Sequence, residues 1–558
     1  MKKNTIISAW SFLGLLLFFN LSITFPLGII GAIYSGLFIS FIPGILMLSI
    51  FQRKLILKTE EILYSLGLSI GSLMFLGLFI NWLLPLFGFM HPLTFLPIAV
   101  CISIFIVILI SIYIACGSEI MTTFNFPKKN MINILFILYS LMLPILSILG
   151  TNLLNNNGSN IIILFMLINT AICIVLEFIF IKKIDEKIIQ FTIFLSSIAL
   201  LFATSLRGQL ISGHDVITEY YVFELTKSHG LWSISFFKDA YNACLSITIL
   251  PVIYDVFMKI NDQYLFKILF QLIFSFTSVG VYLFMKKFVN NSYALIASFM
   301  YNAQFAFLSD FPFITRQEIA ITFFMISILV IFNTTLSISV RKILLILFIL
   351  SLVVSHYSTT YVAILFFLLA YVFYLFSSHY LHSFKKLPKI VNYKIFYDKE
   401  KNKNFYLIIS PFVISILIAA TFIWNFEITN TSNTFTTFAQ KLTSVNSSEI
   451  KSTIVNKTSI LNQINNNSLN QSKTQLLSSY IENVNAIYNF DNSDLYQPLM
   501  YKNYKPQIKA VDLTVPVRVP HTTQLVLKII QAINKQFVYV LTIIGLFSIL
   551  FYKKIKNH

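Results

Sequence analysis

Apolar runs of roughly 17 to 25 residues return along nearly the whole chain, and each is long enough to cross a hydrocarbon core of about 30 Å as a helix. In lipid a spanning segment has to satisfy its own backbone N–H and C=O groups, so such runs read as transmembrane helices. At 57% hydrophobic and 11% charged residues, the composition excludes an ordinary soluble globule. The expected fold is therefore an all-α polytopic membrane protein of about fourteen transmembrane helices. The spans fall at 6–21, 28–51, 62–84, 92–116, 132–150, 161–181, 188–206, 264–285, 292–309, 318–336, 341–356, 358–377, 406–426 and 534–552. The first run follows Met1-Lys2-Lys3 without a small-residue cleavage site, so it is expected to stay as a span.

Charge placement sets the expected topology. One face carries Lys2-Lys3, Arg53-Lys54, Lys128-Lys129, Lys182-Lys183, Lys286-Lys287, Arg341-Lys342, the basic stretch from Lys385 to Lys403, and Lys553-Lys554. On the other face the short connections at 22–27, 85–91, 151–160, 310–317 and 356–357 contain Arg316 as their one cation. This asymmetry makes the lysine-rich face cytoplasmic. A multi-pass protein of the cell membrane with both termini cytoplasmic follows, with long outer loops at 207–263 and 427–533. The net charge of +18 then reflects membrane insertion and attraction to anionic lipid, and implies no nucleic-acid partner.

Four regions are expected: a six-span amino-terminal membrane region at 1–187, a second membrane module at 188–426, an Asn/Ser/Thr-rich extracytoplasmic domain at 427–533, and a last span and tail at 534–558. Glu177 is the ionisable exception within the first region, placed near the cytoplasmic end beside Lys182, where its side chain can reach water or a cation. Cys101, Cys116, Cys173 and Cys244 lack CxxC spacing, which argues against a zinc centre and a disulfide framework. Sequons at Asn157, Asn430, Asn446, Asn456, Asn466 and Asn470 carry little weight, because the Asn-rich chain also produces Asn290-Asn291-Ser292 on the inner face. Trp232 to Phe237 and Ile247 to Phe257 have aromatic faces suited to lying along the interface.

Three polar clusters fall on the outer face. In Gly213-His214-Asp215-Val216-Ile217-Thr218-Glu219, a helix opening at Asp215 would put Glu219 one turn on, on the same face. Such a pair of carboxylates can hold a divalent cation, or one member can accept a proton from an acceptor hydroxyl. The plain alternative is that Asp215 is an N-cap. In Asp310 to Glu318, Arg316 is suited to bidentate capture of a phosphate, while Thr315 and Glu318 match a capping box that would make Glu318 structural. Ser355-His356-Tyr357-Ser358-Thr359 is a polar knot between two spans, in which a lone histidine can equally be a solvated turn residue.

His-Asp-x-x-x-Glu-Tyr-Tyr from His214, Gly230-Leu231-Trp232, Thr315 to Ala320 and Ser355 to Thr359, in that order, resemble a family of uncharacterised archaeal multi-span membrane proteins. Phe41-Ile42-Pro43-Gly44 and Leu66-Gly67-Leu68-Ser69 look like the opening of such proteins. That family is in turn similar to the GT-C glycosyltransferases, a likeness covering roughly 188–380. The resemblance implies a GT-C-like bundle in which Asp215 matches the acid of the first outer loop, and a polyprenyl-phosphate-linked sugar is used away from the cytoplasm. The chain departs from that pattern: six spans precede the acid loop's module, and the loop has no Asp-x-Asp, which puts a metal requirement in doubt. The expected site has Asp215, Glu219 and Glu318 as catalytic acids. His214, Arg316, His356 and Tyr357 would bind substrate, and Asp215 and Glu219 would hold any metal. The expected activity is transfer of a sugar from the lipid donor to an extracytoplasmic acceptor. Rival readings are a lipid or polysaccharide transporter, a glycan polymerase or ligase, and an inactive scaffold.

Overall fold

The computed structural model describes residues 5–25, 27–122, 130–156, 158–208, 210–380 and 408–431. The last span, the region from 432 onward, the loop from Lys385 to Lys403, Lys2-Lys3, Lys128-Lys129 and Asn157 lie outside the described residues. The described part is mostly helical, and nine of its helices are long and apolar enough to cross a membrane.

In chain order the helices are α1 (Ala9–Thr24), α2 (Gly28–Phe51), α3 (Thr59–Leu83), α4 (Phe95–Ala115), α5 (Met131–Asn155), α6 (Ile161–Phe180), α7 (Glu186–Ser205) and α8 (His214–His229). There follow α9 (Ile249–Met258), α10 (Phe270–Lys286), α11 (Asn291–Asn302), α12 (Phe305–Ser309), α13 (Thr315–Ile331), α14 (Ile338–Ser355), α15 (Tyr357–Tyr380) and α16 (Pro411–Phe422). A wide helical turn at Leu265–Leu269 leads into α10. Helix α3 packs on α13 and α14, and α5 packs on α7, so 1–187 and 188–426 are not set apart as separate compact bodies.

The two ends of the bundle are defined by their contacts. At one end Lys287 Nζ lies 2.7 Å from Glu60 Oε1, Asn333 Nδ2 donates to Glu60 Oε2 at 2.8 Å, and Lys286 pairs with Glu186. Arg341 Nε donates to the Val330 carbonyl near the end of α13 at 3.2 Å. The connections assigned to the lysine-rich face by charge thus meet at one end. At the opposite end Asn155 Nδ2 donates to Leu206 O at 2.9 Å, Leu93 N–H to Gly230 O at 2.7 Å and Ser246 Oγ to Ser355 O at 2.9 Å.

Three features depart from the sequence reading. First, the chain is not purely helical: β1 (Thr5–Ile7), β2 (Lys54–Leu57) and β3 (Glu119–Thr122) form a small sheet in the order β1-β3-β2. Strands β1 and β3 run antiparallel with Ile6 opposite Met121, and β2 and β3 run parallel with Leu55 opposite Ile120. The first helix accordingly starts at Ala9 rather than residue 6. Second, the span expected at 292–309 is two pieces, because Asn302 is held by the Ser278 hydroxyl and the chain turns extended at Gln304. Helix α11, at 12 residues, is about 18 Å long and falls short of the bilayer core.

Third, Ile247 to Phe257 does not lie along the interface. The chain leaves the opposite end at Trp232, where Asn81 both accepts from its N–H and donates to its C=O, and dips into the bundle. There Leu245 N–H donates to Val354 O at 2.8 Å, and Leu245, Ile247, Ile249 and Leu250 are fully buried. Helix α9 lies against α2 and α3, with the Tyr254 and Ser40 hydroxyls 2.7 Å apart, before Lys259 returns to cap α1 through Ile23 O at 2.7 Å. Gly77 is needed for this approach, since a Cβ there would overlap the Ile249 side chain. The polar groups of the segment are turned to protein partners, Asp255 to Lys227 and Tyr254 to Ser40, and its non-helical backbone is tolerated because protein rather than lipid surrounds it.

Candidate functional site

Helix α8 begins abruptly at Gly213, whose φ of 132° suits glycine and whose missing Cβ makes room for the Phe313 ring. Asp215 is therefore not an N-cap, and its carboxylate turns toward α13. There Arg316 Nη2 reaches Asp215 Oδ2 at 2.9 Å and Nη1 reaches Glu219 Oε1 at 2.8 Å. The one-turn spacing of the two acids thus converges on a cation, and that cation is a guanidinium from a helix some hundred residues further along the chain.

Glu219 does a second job. Its carboxylate accepts the Thr315 N–H at 2.8 Å and the Arg316 N–H at 3.4 Å, so the start of α13 is capped from another helix. The capping box expected from Thr315 and Glu318 does not form: Thr315 is already the first helical residue, and its hydroxyl has no partner among the described residues. Glu318 instead points into the bundle, where Gln271 Nε2 donates to its Oε2 at 3.1 Å while Oε1 has no partner among the described residues. It lies within electrostatic reach of Glu219 but makes no hydrogen bond to Glu219 or Arg316.

Arg316 is 4% exposed and its plane rests on Tyr241, with Cζ 3.7 Å from the ring centroid. With two nitrogens on carboxylates and its face on an aromatic ring, it is not free to capture a phosphate in the way its position in the sequence suggested. Asp239 holds the Tyr241 loop by accepting the Tyr241 N–H at 2.9 Å. Burial pushes the Tyr241 phenol well up, against the opposing pull of Arg316, so it stays protonated. Burial also lifts the Cys244 thiol to about 12, which leaves it inert as a nucleophile or metal ligand. For Glu219 burial raises the pKa, and Arg316 and the two amides pull the other way.

His356 is buried rather than a solvated turn residue, with Nδ1 2.7 Å from Thr359 Oγ1. It and half-buried Tyr357 both lie within electrostatic reach of Arg316, so the first outer loop, Arg316 and the 355–359 knot do gather at one place. His214 supplies the first residue of α8, next to Asp215.

The surrounding acids are unequal. Glu219 is wholly buried, whereas the Asp215 side chain is a third exposed and its Oδ1 has no protein partner among the described residues. Of the two carboxylates on Arg316, Asp215 is the one that reaches solvent. The far half of α8 is tied by Lys227, whose Nζ lies 2.6 Å from Asp262 and 3.0 Å from Asp255. Burial, followed by the neighbouring Asp262, lifts Asp255 to about 6.

Among the described residues no group of three or more His, Cys, Asp or Glu side chains is disposed to hold a metal ion, and the space between Asp215 and Glu219 is filled by the guanidinium. Sequence reading missed Tyr241, Gln271 and Lys267. The last two could have been found as polar interruptions in an otherwise apolar run; Tyr241 left no such signal. Fold and site define a helical multi-span membrane protein with an arginine-anchored acid at the end opposite the Lys286-Lys287 connection. Comparison with protein-family models, curated proteins and solved structures finds no match to the chain.

Proposed function

We propose that the protein is a membrane glycosyltransferase that moves a sugar from a polyprenyl-phosphate donor to an acceptor hydroxyl on the extracytoplasmic side, within a GT-C-like arrangement. The observation that carries this reading is Asp215: one oxygen fixed on Arg316, whose guanidinium rests on Tyr241, and the other open on a side chain that is a third exposed. A carboxylate held in this way accepts the proton of the acceptor O–H while the acceptor oxygen bonds to the anomeric carbon and the sugar–phosphate bond breaks. Arg316 and Glu219 act through Asp215 as positioning residues, and His356 and Tyr357 lie within electrostatic reach of the same guanidinium.

Asp215→Asn should lower transfer by about a hundredfold or more while the protein remains folded. The assay is release of free polyprenyl phosphate from lipid-linked sugar by the purified protein in nanodiscs. Unchanged release by Asp215→Asn rejects the assignment. A carrier is the second reading, favoured by the dipping segment at 232–259, because transporters place sites at interrupted helices. A carrier would move the lipid-linked sugar across vesicles without releasing lipid phosphate.

A further inference from the structure

Both terminal nitrogens of Arg316 are held by carboxylates and its Nε is buried away from any ligand, so the phosphate of a lipid donor needs another cation, and the end of the bundle that carries Asp215 supplies one. Lys267 sits in the wide turn before α10, is 6% exposed, and has no carboxylate partner among the described residues. Its ammonium donates to Gly208 O at 2.8 Å, which leaves two of its N–H groups without a partner among the described residues. Burying an ammonium on so little is costly, and a charged ligand would remove that cost.

Lys267 lines a slot with Ser205, Ser212, Val216 and Phe313 that is about the size of one water. The slot shares Ile211 with an open groove of about 310 Å³ lined by Leu210, Ile211, Ile217, Tyr220, Asn261 and Gln263. Leu210 is 70% and Ile217 54% exposed, so the groove offers bare apolar surface beside a buried positive charge. The uncapped first turn of α8, a helix of 16 residues, adds backbone N–H groups at the same place. Val216, on the slot, directly follows Asp215 in the chain. The volume is at the low end for a ligand pocket, which suits the head end of one hydrocarbon chain.

We infer that the groove binds the phosphate head and first hydrocarbon units of a single-chain membrane lipid, with one phosphate oxygen entering the slot, where Lys267 is the cation that meets it. The inference rests on the transferase reading for the identity of the lipid, and its test is independent of turnover.

Binding is measured on the full chain in nanodiscs with polyprenyl phosphate, the neutral polyprenol and inorganic phosphate as probes. Polyprenyl phosphate should bind at least tenfold more tightly than the polyprenol, and millimolar inorganic phosphate should not displace it. Lys267→Met should weaken binding of polyprenyl phosphate tenfold or more, and Lys267→Arg should restore most of it. Ile217→Asp, at an exposed position, should weaken binding in a protein of unchanged stability, so the idea stays open to refutation even where Lys267→Met does not fold. Equal affinity for polyprenol and polyprenyl phosphate, displacement by free phosphate, or full affinity in Ile217→Asp would overturn the assignment. Tight, Lys267-dependent binding with no release of lipid phosphate would reject the transferase reading and leave this site standing.

Discussion

One guanidinium holds two carboxylates, and the structure makes them unequal. Glu219 is wholly buried beside an arginine that is 4% exposed, so removing its charge leaves a buried cation short of a partner, which costs about 3–5 kcal/mol. In Glu219→Gln the amide also turns N–H groups toward donors, and the cap on two amides of α13, worth about 1 kcal/mol, is weakened. Asp215 pairs with the same arginine across a third-exposed side chain, where water screens the pair to about 1 kcal/mol or less. Glu219→Gln should therefore destabilise strongly, and Asp215→Asn only slightly. Trp232 and Trp424 stack with ring centroids 6.1 Å apart, and Trp424 Nε1 donates to Ala243 O near Tyr241, so tryptophan fluorescence during denaturation in micelles reports on this region. Equal loss of stability in the two variants, or none in Glu219→Gln, would refute the division into a structural and an exposed acid.

Further outcomes are expected. Because Asp255 titrates near 6 when folded and near 3.9 when unfolded, its contribution is present below about pH 4 and is lost as pH rises through 6. Hydrogen exchange at the far half of α8 should then speed up across that window, and Asp262→Asn should flatten the change. Glu177 is fully buried with both oxygens unpartnered among the described residues, contrary to the expectation that it reaches water or a cation. Glu177→Leu should therefore leave stability equal or raise it by about 1–3 kcal/mol, and a sharp loss in thermal unfolding would show a partner for it. Gly44→Ala should destabilise by about 1–3 kcal/mol, because its methyl would overlap the Ser65 carbonyl and force α2 from α3.

Much of the helical layout was legible in the sequence because lipid demands long apolar runs, and the charged connections sort into two ends as their lysines indicated. The dipping segment at 232–259 was not legible. Burial in protein and exposure to lipid select the same apolar residues, so hydropathy alone does not tell Ile247 to Phe257 lying on a membrane from the same residues packed between α2 and α3. At the site, the four-residue spacing of Asp215 and Glu219 correctly placed both on one face. Pairing across the fold has no local signature, and so Arg316 read as a free phosphate ligand. Glu318 misled for a related reason: Thr315 and Glu318 have capping-box spacing, but Glu219 from α8 takes the Thr315 N–H and the Glu318 N–H donates to Ile314 O.

Strand β3 sits between β1 and β2, so the sheet cannot close until residue 122 has left the ribosome. Its closure fastens the beginning of the chain and the α2–α3 turn to the segment that follows α4, through main-chain bonds that depend on no particular side chain. The run from α1 to α4 is thereby closed into a loop whose two ends are joined by strand pairing.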